Sequence, residues 1–221
     1  PWLWYLTQTS DNKIFQNKRV PDVIREVLKD YNYPVEFKLV DTYRSWEYCV
    51  QYQETDYAFI CRLMEHEGIY YWFKHDNGKH TLVLTDDITQ HEPVADYEQI
   101  PYYGPDRITV PREDYIYKWE VAEQITPGAF ATTDYHPLTP AASLEGRRNN
   151  PRAHHHGGLE MYEWQGGYTN PDDAEHYTRV RLEDLQCRQE QSAGASNARG
   201  LSPGHLFTLR NHPRQAENRE Y

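Results

Sequence analysis

The chain has 221 residues, a formal net charge of −11, and 14% aromatic residues that include nineteen tyrosines. That length buries roughly 70% of the unfolded surface without any disulfide, and so many aromatics exclude a disordered chain. The acidic balance excludes a nucleic-acid partner, which requires a basic footprint, and disfavours anchoring on an anionic membrane.

Apolar runs near the roughly eighteen residues of a spanning helix are absent from the sequence, so any export is expected to use a route without a cleaved signal. Cys49, Cys61 and Cys187 are few and widely spaced, as expected of reduced thiols in a protein made in the cytoplasm.

Taken in order, Pro1-Trp2-Leu3-Trp4-Tyr5-Leu6 reads as strand-like sequence that opens abruptly, which predicts a piece of a longer protein. Asp11 and Asn12 predict a turn. Val20, Val23, Ile24, Val27 and Leu28 recur at helical spacing, with Pro21 and Asp22 suited to the first turn and Tyr33-Pro34 ending the segment. Strands are predicted over Val35 to Val40 and Tyr43 to Tyr52. Thr55 then caps a helix that starts at Asp56, presents Phe59, Ile60, Leu63 and Met64 on one face, and stops at Gly68 in a left-handed conformation.

Two apolar runs follow, separated by Asn77-Gly78, the pair favoured in a type I′ hairpin turn. With those two as the loop, Asp76 faces Lys79, Phe73 faces Leu82 and Tyr71 faces Leu84, while Trp72 and Val83 share the opposite face. Both faces are apolar or aromatic, so the hairpin is expected to be covered on both sides. The Pro- and Tyr-rich stretch from Pro93 to Pro111 predicts a connector and a domain boundary. Beyond Asp114 short strands are expected at Tyr115 to Gln124, Gly128 to Tyr135, Glu160 to Trp164, Leu185 to Gln189 and Leu206 to Arg210. A helix near 171–184 starts at Asn170-Pro171, and Pro140 to Gly158 reads as a loop.

Several stretches carry a specific resemblance. The opening PWLWYLTQTSDNKIFQNKRVPDVIREVL, the block YCVQYQETDYAFICRLMEHEGIYYWFKHDNGKHTLVLTDD, and then DYHP, EMYEW, RLEDLQC, ARGLSPGHLFTLRNHPR and NREY stand in one family's order. The chain resembles the VgrG spike proteins of bacterial type VI secretion, which are similar to baseplate hub proteins of contractile-tailed phages. The resemblance implies a fold that is α+β and mainly β. It places a mixed α/β region over 1–100, whose preceding barrel lies outside the chain, and an antiparallel β-barrel domain with one inserted helix over 101–221. Asn77, Gly78, Gly68, Trp72, Phe73 and Leu82 form the structural signature. One departure stands out: where the family carries a Pro-Gly turn, this chain has Gln165-Gly166-Gly167.

Several residues are candidates for chemistry of their own. His75 and His80 face each other across the expected hairpin and read as a structural pair, because nothing places His66, Glu67 or Asp86 as a third metal ligand. His154-His155-His156 reads as a solvated loop. Glu65, Glu67, Asp86 and Asp87 could supply the acid and base of a glycosidase, yet helix ends and turn edges attract carboxylates anyway. Cys61 sits beside Ile60 on an apolar face and reads as an inert thiol. The aromatics Tyr70-Tyr71-Trp72-Phe73 suit a sugar platform or, more simply, a core strand. No catalytic set, metal set or cofactor motif is legible.

Two functions remain open at this point. The resemblance implies the hub of a homotrimeric cell-puncturing spike that docks on the hexameric secretion tube protein and carries effector or tip proteins through a C-terminal region beyond Tyr221. Such a spike is assembled in the bacterial cytoplasm and exported by type VI secretion. The alternative is a cell-wall glycan hydrolase or glycan-binding module.

Overall fold

A computed structural model describes residues 1–106 and 112–221. A 3₁₀-helix over Trp2–Gln8 precedes strand β1 (Ser10–Arg19) and helix α1 (Val20–Lys29). Strands β2 (Val35–Lys38) and β3 (Ser45–Thr55) lead into α2 (Asp56–Glu67), then into β4 (Tyr70–Asp76) and β5 (Lys79–Thr85). The short strands β6 (Glu92–Pro93) and β7 (Gln99–Pro101) come before β8 (Ile116–Glu123), β9 (Ala129–Thr133), β10 (Gly146–Asn149) and β11 (Glu160–Trp164). After a 3₁₀ turn at Pro171–Asp173 come α3 (Ala174–Gln186), β12 (Glu190–Ser196), β13 (His205–Leu206) and β14 (Thr208–Arg210). The fold is mostly β with a few helices, as expected.

The contacts form two units, each discontinuous: 1–34, 40–70 and 123–189 in one, and 35–39, 71–122 and 190–221 in the other. They interleave along the chain. The reason lies in non-local pairing, since β2 joins β5 and β12 joins β8. Residues 107–111 of the expected connector lie outside the described residues. The expected antiparallel pattern is also modified: β11 pairs with β9, β13 with β6 and β14 with β7 in parallel. Strands so far apart in sequence need no hairpin, so either direction is open to them.

In the first unit β1 and β3 make a long antiparallel ribbon, with Phe15 opposite Cys49 on the buried face. The expected turn at Asp11-Asn12 is instead a bulge in this ribbon. Gln53 is the extra residue, at φ 51°, and its N–H donates to Asn12 Oδ1 at 3.1 Å. The opening aromatic run is helical where a strand was expected, and it buries Trp2, Leu3 and Leu6. The predicted stripe of α1 is buried throughout. Thr55 Oγ1 accepts from Ala58 N at 3.1 Å, α2 buries its four predicted apolar residues, and Gly68 ends it at φ 75°. α3 continues through Gln186, so the strand expected at Leu185 to Gln189 does not form. β10 lies inside the stretch expected to be a loop and pairs antiparallel with β9.

In the second unit β5 is the central strand between β2 and β4. Its pairing with β2 is parallel, with Val35 opposite Leu82 and Phe37 opposite Leu84, and Thr81 to Thr85 are all buried. A strand covered on both faces explains the uninterrupted apolar run. At the turn Gly78 takes φ 73°, while Asn77 is not among the residues at positive φ. The turn is therefore not type I′, which needs both positions left-handed, whereas here only the second is.

Candidate functional site

In the first unit the most concentrated chemistry surrounds Glu67, the last residue of α2. It lies one turn beyond Leu63 on the buried stripe and is 2% exposed. A carboxylate placed there needs partners, because an unpaired buried charge costs several kcal/mol at the least. Its Oε1 accepts from Trp46 Nε1 at 3.0 Å and from Tyr177 OH at 3.1 Å. Its Oε2 lies 3.5 Å from His176 Nε2, an ion-pair distance and not a well-formed hydrogen bond.

Arg44 closes the arrangement. Its Nε donates to Tyr177 OH at 2.6 Å and its Nη2 to the Gly167 carbonyl at 2.5 Å. The guanidinium lies 4.9 Å from the Trp46 ring and 5.2 Å from the Tyr177 ring, within cation–π range of both. On the far side of His176, Nδ1 is 3.4 Å from Asp41 Oδ2, and Arg179 pairs with the same carboxylate. β3, α2, α3, the loop before β3 and the turn after β11 thus meet in one clasp. That last turn is the Gln165-Gly166-Gly167 departure; the Gly167 N–H donates to Asp134 Oδ2 at 2.7 Å, and Gly167 is left-handed at φ 76°.

The electrostatics follow from these contacts. The close Glu67 carboxylate raises the His176 pKa, against the opposing effect of burial, and the Asp41 charge reinforces it. Burial and the neighbouring Glu67 charge push the Tyr177 phenol up. Burial would raise Asp41, but the Thr42 backbone N–H, His176 and Arg179 hold it below the ordinary carboxylate value. His66 packs its ring 4.5 Å from Tyr177 and leaves Nε2 buried without a hydrogen-bond partner. Burial lowers its pKa from 6.5 to about 4, so the ring is neutral at physiological pH.

Of the candidate carboxylates for glycan hydrolysis, Glu65, Glu67 and Asp87 have structural settings. Glu67 belongs to the clasp, and Glu65 is an exposed residue 3.9 Å from Arg181. Asp87 Oδ1 accepts from Thr89 N at 2.7 Å and caps a short 3₁₀ turn, with Asp86 beside it. Burial raises the pKa of Cys61, as expected for an inert thiol. His154, His155 and His156 lie in a loop, with the last two rings 4.0 Å apart. Among the described residues no three His, Cys, Asp or Glu converge in a metal-holding group. None of the described helices is long and apolar enough to cross a membrane.

In the second unit Trp72 is buried beside His91, with ring centroids 4.4 Å apart, and Leu82 is buried in β5. Phe73 is half-buried. A Cβ built on Gly204 would stand 2.3 Å from the Trp72 ring, so that glycine is the floor on which the indole rests. His91 Nδ1 lies 2.7 Å from the Gly204 carbonyl and fixes the contact. Of the four aromatics at 70–73 only Trp72 is core, since Tyr71 and Phe73 are half-buried and Tyr70 is exposed, so the core-strand reading holds for Trp72 alone. A groove of ≈ 690 Å³ runs along β12, between Trp119, Phe207 and Tyr221.

The model of the phage tail baseplate hub (GPD) family matches residues 1–221. The chain belongs to this family. It is 45% identical over 222 residues to each of two type VI secretion system spike proteins of Pseudomonas aeruginosa, VgrG1b and VgrG1c. Each match takes in 100% of this chain and 30% of the relative, so the chain spans about three tenths of their length. Among solved structures, an E. coli type VI secretion component described as similar to the T4 tail proteins gp27 and gp5 aligns with TM-score 0.64 at 18% identity, over 96% of this chain and 44% of that one. A 43 kDa tail protein of prophage MuSo2 from Shewanella oneidensis aligns with TM-score 0.62 at 11% identity, over 94% and 61%. At those identities the likeness establishes the fold.

The clasp residues Arg44, Trp46, His176 and Tyr177 escaped sequence reasoning. One signal was available: Glu67 falls four residues after Leu63 on an otherwise apolar stripe, and such a carboxylate demands donors from elsewhere in the fold.

Proposed function

We propose that this chain is the hub portion of a trimeric cell-puncturing spike at the tip of a type VI secretion system. The observation that carries the reading is the 45% identity to spike proteins along the whole chain. In this reading the hub docks on a ring of the hexameric tube protein, and the longer protein carries effector or tip proteins beyond Tyr221. The strands of 101–221 close as a barrel within the assembly. The spike forms in the bacterial cytoplasm and leaves by the secretion machine itself.

The role is mechanical, with residues acting through packing and interfaces rather than through a reaction. Gly68, Trp72, Phe73, Asn77, Gly78 and Leu82 serve that role as structural residues. The structural settings of Glu65, Glu67 and Asp87 support it, and no observation favours the glycan-hydrolase alternative.

Mass measured by light scattering tests the assembly, for this chain and for the longer protein, with and without the tube protein. A trimer of the longer protein that binds the tube protein is the expected result. A longer protein that stays monomeric at micromolar concentration overturns the reading.

A further inference from the structure

One cluster in the second unit is left over by a mechanical role: the two exposed imidazoles at the hairpin end. His75 on β4 and His80 on β5 bring their Nδ1 atoms to 2.6 Å, with ring centroids 4.7 Å apart and planes at 76°. We propose that this pair is a binding site for a divalent transition-metal ion of tetragonal preference, Cu(II) or Ni(II), with both Nδ1 atoms as ligands and water in the remaining positions.

The geometry selects the class of ion. Two facing nitrogens at hydrogen-bond distance share one proton between them, and a metal ion takes the place of that proton. With metal–nitrogen bonds of about 2.0–2.1 Å, cis ligands at a right angle stand about 2.9 Å apart, whereas tetrahedral ligands stand about 3.3 Å apart. Opening from 2.6 Å to the cis distance is a few tenths of an ångström, within reach of two exposed side chains. Tetrahedral spacing asks for more than twice that movement, and tetragonal nitrogen and oxygen sites favour Cu(II) or Ni(II).

Backbone order lies with the strands, which the Asn77-Gly78 turn joins, so the ligands are positioned before the ion arrives. Alternation along β4 sends Asp76 to the face opposite His75, which leaves the outer positions of the ion to solvent. The absence of a third protein ligand in the sequence therefore does not exclude the site; it predicts an open one.

The test is a Cu(II) titration of the intact chain followed by calorimetry and electron paramagnetic resonance. The expected result is one ion per chain, an axial signal with two nitrogen ligands, and a rise in melting temperature, because the ion binds the folded hairpin. Affinity falls on acidification, since the metal takes the neutral imidazole. His75→Gln and His80→Gln should each weaken binding by at least the roughly tenfold that even an outer-shell partner is worth. Joint replacement of His154, His155 and His156 by Gln should leave it unchanged. In the unsubstituted protein, substoichiometric Cu(II) should broaden the ring proton resonances of His75 and His80 first, a readout that needs no variant. Failure to bind one ion, binding that survives both single substitutions, or selective broadening of His154 to His156 would each overturn the proposal.

Discussion

In the unit of 1–34, 40–70 and 123–189, a buried carboxylate gathers an indole, a phenol and an imidazole around it, and Arg44 secures the phenol. In the unit of 35–39, 71–122 and 190–221, rings rest on glycines, with Trp72 on Gly204 and Tyr97 on Gly200, beside a smaller carboxylate cluster in which Glu217 accepts from Trp119 Nε1 and Tyr221 OH. Directional hydrogen bonds specify one arrangement but leave expensive orphans when a partner is removed. Ring-on-glycine packing is indifferent to charge but intolerant of a single added carbon. The Glu67 clasp and the Gly204 contact should therefore fail in different ways.

The largest effect is expected at the centre of the clasp. Glu67→Ala leaves Trp46 Nε1 and the Tyr177 hydroxyl without their acceptor, and His176 without one of its two carboxylates. Removing one partner of a buried charged network costs roughly 3–5 kcal/mol. Glu67→Gln keeps the shape and an acceptor oxygen and should cost well under half of that. Urea denaturation of the two variants measures the difference; equal costs would mean that the carboxylate acts by volume alone.

The same unit should respond to pH from both sides. His66 titrates at about 4 in the folded protein against an ordinary 6.5, so the folded state binds fewer protons than the unfolded state between those values. Stability then falls as pH drops below 6.5, by on the order of 3 kcal/mol by pH 4. His176 has the opposite sign. Its folded pKa is raised above 6.5, so its contribution is fully present below 6.5 and is lost as pH climbs through the folded value. Both contributions together place the optimum near or just above pH 6.5. Melting curves across pH should show the acid limb flattened in His66→Phe and the alkaline limb flattened in His176→Gln. Each variant should keep the other limb, and a variant that shifts both would break the assignment.

Legibility in the sequence follows the same division between local and distant causes. α1, α2 and the hairpin were readable because their signals lie within a few residues: an apolar stripe, the Thr55 cap, Gly68, and the Asn77-Gly78 pair. β12 was missed because Gln191-Ser192-Ala193-Gly194 carries none of the branched or aromatic residues that mark a strand; it is held by β8. The opening Trp2–Gln8 was misread because short apolar runs do not distinguish strand from helix. The clasp was out of reach, since Tyr177 meets Arg44 and Glu67 across 133 and 110 residues. The Asn77 error was smaller in kind: the pair marks a tight turn, and only Gly78 uses the left-handed freedom it offers.

The smallest effect separates backbone strain from packing within the second unit. Gly204 and Gly78 are both left-handed, at φ 81° and 73°, so an alanine at either carries the same backbone penalty of roughly 1–2 kcal/mol. Their surroundings differ completely. A Cβ on Gly204 meets the Trp72 ring at 2.3 Å, whereas a Cβ on Gly78 meets nothing within 4 Å. Gly204→Ala should therefore cost the backbone penalty plus about 1–3 kcal/mol of overpacking, as Trp72 is forced from its place beside His91. Gly78→Ala should cost the backbone penalty alone. Near-ultraviolet circular dichroism would follow the Trp72 environment while melting reports stability. Gly204→Ala should change both, and Gly78→Ala only the melt. If the two alanines cost the same, the ring does not rest on the glycine, and the contrast between the charge-centred clasp and the packed Gly204 contact loses its second half.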